Sequence, residues 1–362
     1  MILRKLLDRD RPAWDRLTQI SDRGCFMQSW AWADFRELDG YQTFRYGLFD
    51  DSDQLIGGCI FYFYPQRSSA NLIFAPAAPL LPQNLEIEAM QLLLLEAEQI
   101  AKNLDNSGAI ALRIEPLRSE KPAWMGSDFK RSPADLMPSE TLWIDLQKSE
   151  SELLAAMHHK GRYNLRLSQR YGVETSFTND DAAIPHFYDL FYETAQRQSF
   201  LSEPYGFFIK LCQSLFREGL AEIGFAKYKG EILATILLIY WGDRCVYLYG
   251  GRSESDRQVM PAYALHWAAI QRAKQRGYKI YDFYGYSADP DHAYYNFSRF
   301  KRQFGGKVIT TIGAHDYFFY DSLADAIVQL LSSGVVSSKC HAVFVALANS
   351  SGSLSPAFAS IQ

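Results

Sequence analysis

Read for the alternation of apolar and polar positions, the chain carries one plan twice. "YGLFDDSDQLIGGCIFYFY" holds two apolar runs around a polar turn at Asp50–Asp53, which predicts strand, turn, strand. "NLIFAPAAPLLP" adds a third apolar run. Ile87, Met90, Leu93, Leu94, Ala97, Ile100 and Ala101 keep helical spacing and predict a helix from about Leu85 to Asn103. "AIALRIEP" (Ala109–Pro116) closes the series with a strand. The second half repeats that order. "IGFAKYKGEILATILLIYW" reads as strand, a turn at Lys229–Gly230, and strand, and "RCVYLYGG" is the third strand. Pro261 opens a helix where its missing N–H costs nothing, Ala262, Leu265, Ala269 and Ala273 line its apolar face, and Gly277 ends it. "KIYDFYG" (Lys279–Gly285) is the closing strand. Equivalent positions lie roughly 170 to 177 residues apart.

Antiparallel strands, a helix and a parallel strand form the kernel of the GNAT fold of acetyl-CoA-dependent N-acetyltransferases. Two such strings in one chain predict an α/β (α+β) protein of two tandem GNAT-like domains. "SESELLAAMHHKGRYNLRLSQRYG" between them predicts a helix pair, with the boundary near Leu146–Ser149. After "GGKVITTIGAHDYFFYD" the chain is expected to return to the first domain. The expected division is 1–147 plus about 316–340, then 148–315, with a loosely held Ser/Ala-rich tail at 341–362.

Composition narrows the class. The 362 residues are 48% hydrophobic and 22% charged, an ordinary globular balance. A net charge of −4 argues against a general nucleic-acid coat, so a polyanion would have to be met by a local patch. One such patch stands out: Leu153 to Val173 contains no acid, while Lys160, Arg162, Arg166 and Arg170 lie within it, the three arginines four residues apart on one helical stripe. The five cysteines are scattered and form no CxxC, so neither a zinc knuckle nor a disulfide framework is indicated. No signal peptide or membrane span is legible, and a reducing cytoplasmic location is the simplest expectation.

The usual pyrophosphate cradle of GNAT enzymes is a glycine-rich turn before the main helix. "APAAPLLPQNLEIEAM" and "GGRSESDRQVMPAYA" stand in that place. Gly250 and Gly251 fall well before the helix, so an acyl donor other than CoA, and no cofactor, is expected. GxSxG and P-loop motifs are absent. His158 and His159 are adjacent and would project apart on a helix, and the other histidines are isolated, so no metal is expected.

Several motifs together resemble the FemA/FemB/FemX (FemABX) peptidyltransferases. "DLQKSESELLAAMHHKGRYNLRLSQRYGVETSF" is similar to their R-Y-N-x-R block, and "FMQSWAWADFRE" (Phe26–Glu37) to their Q-S-x-x-W segment. "MPAYALHWAAIQRAKQRGYKIYDFYG" and "YNFSRFKRQFGGKVITTIGAHD" resemble their last helix, strand and F-K-x-x-F-G-G block. Phe207 to Glu222 leaves no room for the helical arm of longer members, so the short FemX type is implied.

The resemblance implies transfer of an amino acid from aminoacyl-tRNA to the stem-peptide amine of a peptidoglycan precursor. The acceptor would be UDP-MurNAc-pentapeptide or lipid II, the latter with a peripheral contact at the inner face of the membrane. Lys301 matches the family lysine that stabilises developing negative charge, and Phe300 beside it would pack on the tRNA end. Arg36 falls where the family often has a phosphate-binding lysine, Arg197 resembles a second phosphate-binding arginine, and Tyr263 a cleft tyrosine on the acceptor. Glu115 sits where relatives commonly carry Asp and is a candidate base; Asp282, its counterpart in the second repeat, reads as structural. Lys160, Arg162, Arg166 and Arg170 become candidates for the tRNA acceptor stem. Two competing readings remain: a FemAB-like acyltransferase of exopolysaccharide or lipid modification, and a non-catalytic tRNA- or precursor-binding module. The amino acid transferred, the oligomeric state and the role of the tail have no legible code.

Overall fold

The computed structural model describes residues 1–20, 24–65, 71–104 and 109–319, and the strands within them fall into two seven-stranded sheets. The chain divides accordingly into unit 1, Met1–Ser139 with the segment from Thr311, and unit 2, Glu140–Thr310. The expected tail at 341–362, and any return beyond Phe319, lie outside the described residues.

Unit 1 opens with β1 (Ile2–Lys5), α1 (Arg11–Ile20) and α2 (Trp30–Leu38), then β2 (Gln42–Phe49), β3 (Leu55–Phe63), β4 (Asn71–Pro76), α3 (Glu86–Asn103), β5 (Ala109–Glu115) and β6 (Phe129–Arg131). Unit 2 starts with β7 (Glu140–Asp145), α4 (Glu150–Ala156) and α5 (His159–Tyr171). The plan of unit 1 then recurs: β8 (Glu174–Thr178), α6 (Ile184–Gln198), α7 (Tyr205–Arg217), β9 (Ala221–Tyr228), β10 (Glu231–Trp241), β11 (Arg244–Arg252), α8 (Pro261–Gln275) and β12 (Ile280–Asp282). After α9 (Tyr295–Lys301) and β13 (Lys307–Thr310), the chain re-enters unit 1 as β14 (His315–Phe318).

The strand orders correspond position by position: β1-β2-β3-β4-β5-β14-β6 in one sheet, β8-β9-β10-β11-β12-β7-β13 in the other. In each, one parallel pair interrupts antiparallel neighbours, β4 with β5 and β11 with β12, and a helix makes the long return that a parallel pair requires. The repeat therefore also includes a short edge strand and two helices ahead of the pattern visible in sequence.

Each unit has its own core. In unit 1, Phe61, Phe63, Ile73, Met90, Leu93 and Ile114 are buried together, and all seven residues of β5 are buried. In unit 2, Leu142, Ile144, Leu153, Leu165 and Leu238 gather around α8, whose Leu265 and Ile270 are buried. The strand β7 pairs with β12 and β13, and its apolar side joins the second core. Unit 1 consequently ends at Ser139 instead of near 147. Unit 2 ends at Thr310 instead of near 315, because His315–Phe318 pair with β5 and β6.

The "QSWAW" segment is scaffolding. The Gln28 amide donates to the carbonyls of Ile60 and Pro76 and accepts from the Ile60 N–H, and Ser29 caps α2 by accepting from the Trp32 N–H. A fully buried glutamine satisfied in this way ties the start of α2 to β3 and β4.

Candidate active site

Three motifs far apart in sequence converge in unit 2. The Tyr263 hydroxyl, on the first turn of α8, donates to the Gln303 side chain at 2.9 Å and is hydrogen-bonded by Asn164 of α5. Its ring lies edge-on to Phe300 at 5.0 Å and stacks on Phe304 at 5.7 Å. Gly161 makes this approach feasible: a Cβ there would stand 2.4 Å from the Gln303 carbonyl oxygen. The glycine pair after Phe304 serves the same clamp. Gly305 and Gly306 hold φ of +83° and +95°, and a Cβ on them would meet the Ala156 and Trp143 carbonyls at 2.7 and 2.6 Å.

Beside this cluster lies a cavity of 390 Å³, between α6, α8, α9 and the strands β10 and β11. Aromatic side chains Tyr247, Phe297 and Phe300, the imidazole of His266, and the guanidiniums of Arg197 and Arg252 are in its wall. Arg197, Arg252 and Arg257 all reach Glu254, at 3.2, 2.9 and 3.4 Å, and Glu193 stands 3.5 Å from Arg197. The charged residues in the wall itself are Arg197 and Arg252, both cationic. Arg197 is further pinned by bonds to the Thr194 hydroxyl and the Arg252 carbonyl.

Lys301 is nearly buried, 9% exposed, at the end of α9. Its Nζ donates to the carbonyls of Tyr284 at 2.8 Å and Gly285 at 2.6 Å. Both acceptors are presented by backbone at positive φ, 49° and 30°, which is why the expected strand Lys279–Gly285 stops at Asp282. Burial lowers the Lys301 pKa to about 7, against the opposing field of Asp282. Asp282 is itself pushed up by burial while accepting from Thr141 and from the Tyr284 N–H. Lys301 does not line the cavity; it stands behind the wall, with Nζ 5.6 Å from the centre of the Tyr247 ring.

The remaining candidates separate. Arg162 does not face solvent as part of a stripe: its guanidinium turns back onto the carbonyls of Leu154, Ala155 and Met157 and closes the C-terminal end of α4. Lys160, Arg166 and Arg170 are exposed and form no ion pair among the described residues, and Arg166 and Arg170 border a shallow hollow with Tyr163. Arg36 is fully buried in unit 1, 3.3 Å from Asp39 with its guanidinium 3.8 Å over the Tyr41 ring, so the expected phosphate contact has no exposed group behind it. Glu115 is also buried. One carboxylate oxygen accepts from the N–H groups of Leu136 and Met137, and burial, then Asp135, pushes its pKa well up. That arrangement fastens a loop to the end of β5.

His158 and His159 do not project apart, because His158 lies outside the helix as its N-cap, accepting from the Lys160 N–H, and the two rings sit 4.1 Å from one another. Among the described residues no cluster of three metal-ligating side chains exists. At the two helix starts where GNAT enzymes hold pyrophosphate, α3 places Glu86 and Glu88 in its first turn and α8 begins with Pro261, which has no N–H to give.

Comparison with known proteins shows what this geometry resembles. The FemAB family profile matches residues 11–127, and an acetyltransferase (GNAT) domain profile matches residues 158–318. A "Lipid II:glycine glycyltransferase" of Staphylococcus haemolyticus is 21% identical, over 87% of this chain and 93% of its own. The crystal structure of FemX superposes with a TM-score of 0.79 at 20% identity, covering 91% of this chain and all of the other. The chain resembles the FemABX proteins over most of its length. A tandem GNAT protein from the clavulanic acid biosynthesis pathway shares the fold at a TM-score of 0.54 and 12% identity, covering 89% of this chain and 99% of its own.

As the short-type resemblance implied, α7 passes to β9 through Glu218–Leu220 alone. Arg252 and His266 escaped sequence reading. Arg252 directly follows the glycine pair at the end of β11, and His266 lies four residues after Ala262 on the face expected to be apolar. No helix among the described residues is long and apolar enough to cross a membrane.

Proposed function

We propose that this FemABX-like chain is an acyltransferase that moves an amino acid from aminoacyl-tRNA onto the stem-peptide amine of a peptidoglycan precursor, with unit 2 receiving the donor. The observation that carries the reading is the unit 2 cavity: aromatic faces for stacking, arginines for phosphate, and a buried ammonium one ring behind. The staphylococcal relatives named for lipid II glycyl transfer support a cell-wall acceptor, either lipid-linked or as UDP-MurNAc-pentapeptide.

In the reaction the acceptor amine forms a C–N bond to the ester carbonyl carbon, the C–O bond to the tRNA ribose breaks, and the amine proton ends on the ribose oxygen. Negative charge develops on the carbonyl oxygen. In its ammonium form, partly populated at neutral pH because burial lowers its pKa to about 7, Lys301 has two of its three N–H donors held by carbonyls and supplies a positive field there at little reorganisation cost. Arg197 and Arg252 hold donor phosphate. The exposed Tyr163–Arg166–Arg170 face and Lys160 meet the acceptor stem, a role Arg162 does not share.

The test mixes the protein with UDP-MurNAc-pentapeptide or lipid II and a panel of charged tRNAs. Product that requires charged tRNA supports the reading. Activity with acyl-CoA alone would favour a related acyltransferase of exopolysaccharide or lipid modification, and binding without product a non-catalytic module.

A further inference from the structure

Lys301 stands behind the cavity wall, so the polar contact with a reacting carbonyl must come from the wall itself. His266 is in that wall, on α8, 2% exposed and boxed by rings: Tyr247 edge-on at 4.5 Å, Phe283 at 5.1 Å and Phe300 at 5.4 Å. Its Nδ1 lies 2.9 Å from the Tyr281 hydroxyl of β12. Tyr281 is fully buried, and among the described residues Nδ1 is the sole hydrogen-bond partner of its hydroxyl.

This pair fixes the tautomer. If Nδ1 carried the proton and donated to Tyr281, the phenolic hydrogen would be left in the core without an acceptor, a cost of about 1–3 kcal/mol. If Tyr281 donates to Nδ1, only an oxygen lone pair is left over, and the ring proton resides on Nε2. Nε2 has no hydrogen-bond partner among the described residues, and His266 is in the cavity wall. Burial, with the nearby Lys301 charge, lowers the His266 pKa to about 3, so the ring stays neutral.

We infer that His266 is a directed hydrogen-bond donor in the cavity wall, its Nε2–H oriented by Tyr281 and addressed to the ester carbonyl oxygen of the bound donor. The inference rests on the proposed transfer reaction and names a residue within it. The division of labour is physical. Lys301 supplies charge from one ring layer away, and His266 supplies the directed bond, which shortens as the carbonyl becomes an alkoxide. His266 gains and loses no proton over the cycle: the C–N bond forms, the C–O bond breaks, and the proton passes from amine to ribose oxygen.

The test has a ligand-free arm and a kinetic arm. Two-bond ¹H–¹⁵N correlation spectra of labelled protein should show His266 protonated on Nε2 and neutral from about pH 6 to about pH 8. A proton on Nδ1, or an imidazolium at pH 6, overturns the inference without any substrate. In the transfer assay, His266→Leu should lose about 10²- to 10³-fold in kcat with the acceptor KM changed less than about threefold. His266→Gln keeps an N–H donor and should recover at least tenfold of that loss. Tyr281→Phe, which frees the tautomer, should fall between, and it carries the kinetic arm if His266→Leu fails to fold by thermal melt. Variants within about threefold of wild type overturn the inference while leaving the transfer reaction standing. A wild type inactive with every charged tRNA removes the transfer reading and this inference together.

Discussion

Lys301 has an ammonium with three donors and two carbonyl partners, set in a place that disfavours its charge. Its pKa in the folded chain, about 7, lies below its ordinary 10.5, so between those values the folded state holds fewer protons than the unfolded state. Stability contributed by this group therefore rises with pH across that window, and the desolvation cost is greatest below it. Replacing Lys301 with Met removes the effect. The stability difference, wild type minus variant, should grow by at most about 1.4 kcal/mol per pH unit above neutrality. Urea unfolding at pH 7 and pH 9 measures it, and a flat difference would show that Lys301 titrates normally. In the transfer assay Lys301→Met should cut turnover at least about 100-fold while leaving precursor affinity within a few fold; an unaffected rate would remove Lys301 from the mechanism. Single residues were the least legible level of the sequence. A four-residue spacing says where Arg162 starts on its helix but not that its guanidinium folds back onto the preceding one. His266, flanked by Leu265 and Trp267, read as one more isolated histidine because its partner, Tyr281, comes from another element.

Helix α5 illustrates how one element divides its charges between scaffold and surface. Arg162→Ala strips the carbonyls at the end of α4 of their donors and should destabilise unit 2 by about 1–3 kcal/mol. Arg166→Ala and Arg170→Ala, on the exposed side, should stay within about 0.5 kcal/mol of wild type. Each should instead lower the salt dependence of tRNA binding by about one unit of slope, read from filter binding across a salt series. Slopes equal to wild type in both variants would take Arg166 and Arg170 out of the tRNA contact. Gly161→Ala should destabilise by a further about 1–3 kcal/mol, since its methyl group meets backbone and not a movable side chain. Elements as such were largely readable. The Lys229–Gly230 turn has positive φ at both residues, 50° and 86°, as a tight hairpin needs, and α3 runs Glu86–Asn103 with Met90, Leu93 and Ala97 inward as its spacing implied. What failed were features decided by distant partners. Strand β12 is cut short so that two carbonyls can turn to Lys301, and the short edge strands β1 and β8 have too few residues for a period to show.

At the scale of the molecule, the duplication was legible because each copy repeats local patterns, but the strand exchange at its ends was not. Strand β14 fills the place between β5 and β6, and Asp316 on it forms a buried two-pronged ion pair with Arg113 at 2.7 and 2.9 Å. Unit 2, by contrast, is one continuous stretch, Glu140–Thr310, with its own sheet and core. A fragment of residues 140–310 should therefore unfold cooperatively in urea on its own. A fragment of residues 1–139 should not, because it leaves Arg113 buried without its carboxylate and β5 without the neighbour that separates it from β6. Cooperative unfolding of the shorter piece would show that β14 is dispensable.

That arrangement also sets an order of events during synthesis. The half of the protein that leaves the ribosome first has a gap in its sheet until Phe318 emerges, whereas the half translated second lacks nothing once Thr310 is out. The later-made half has its whole sheet before the earlier one does, and until β14 arrives the flank of β5 is an unpaired strand edge.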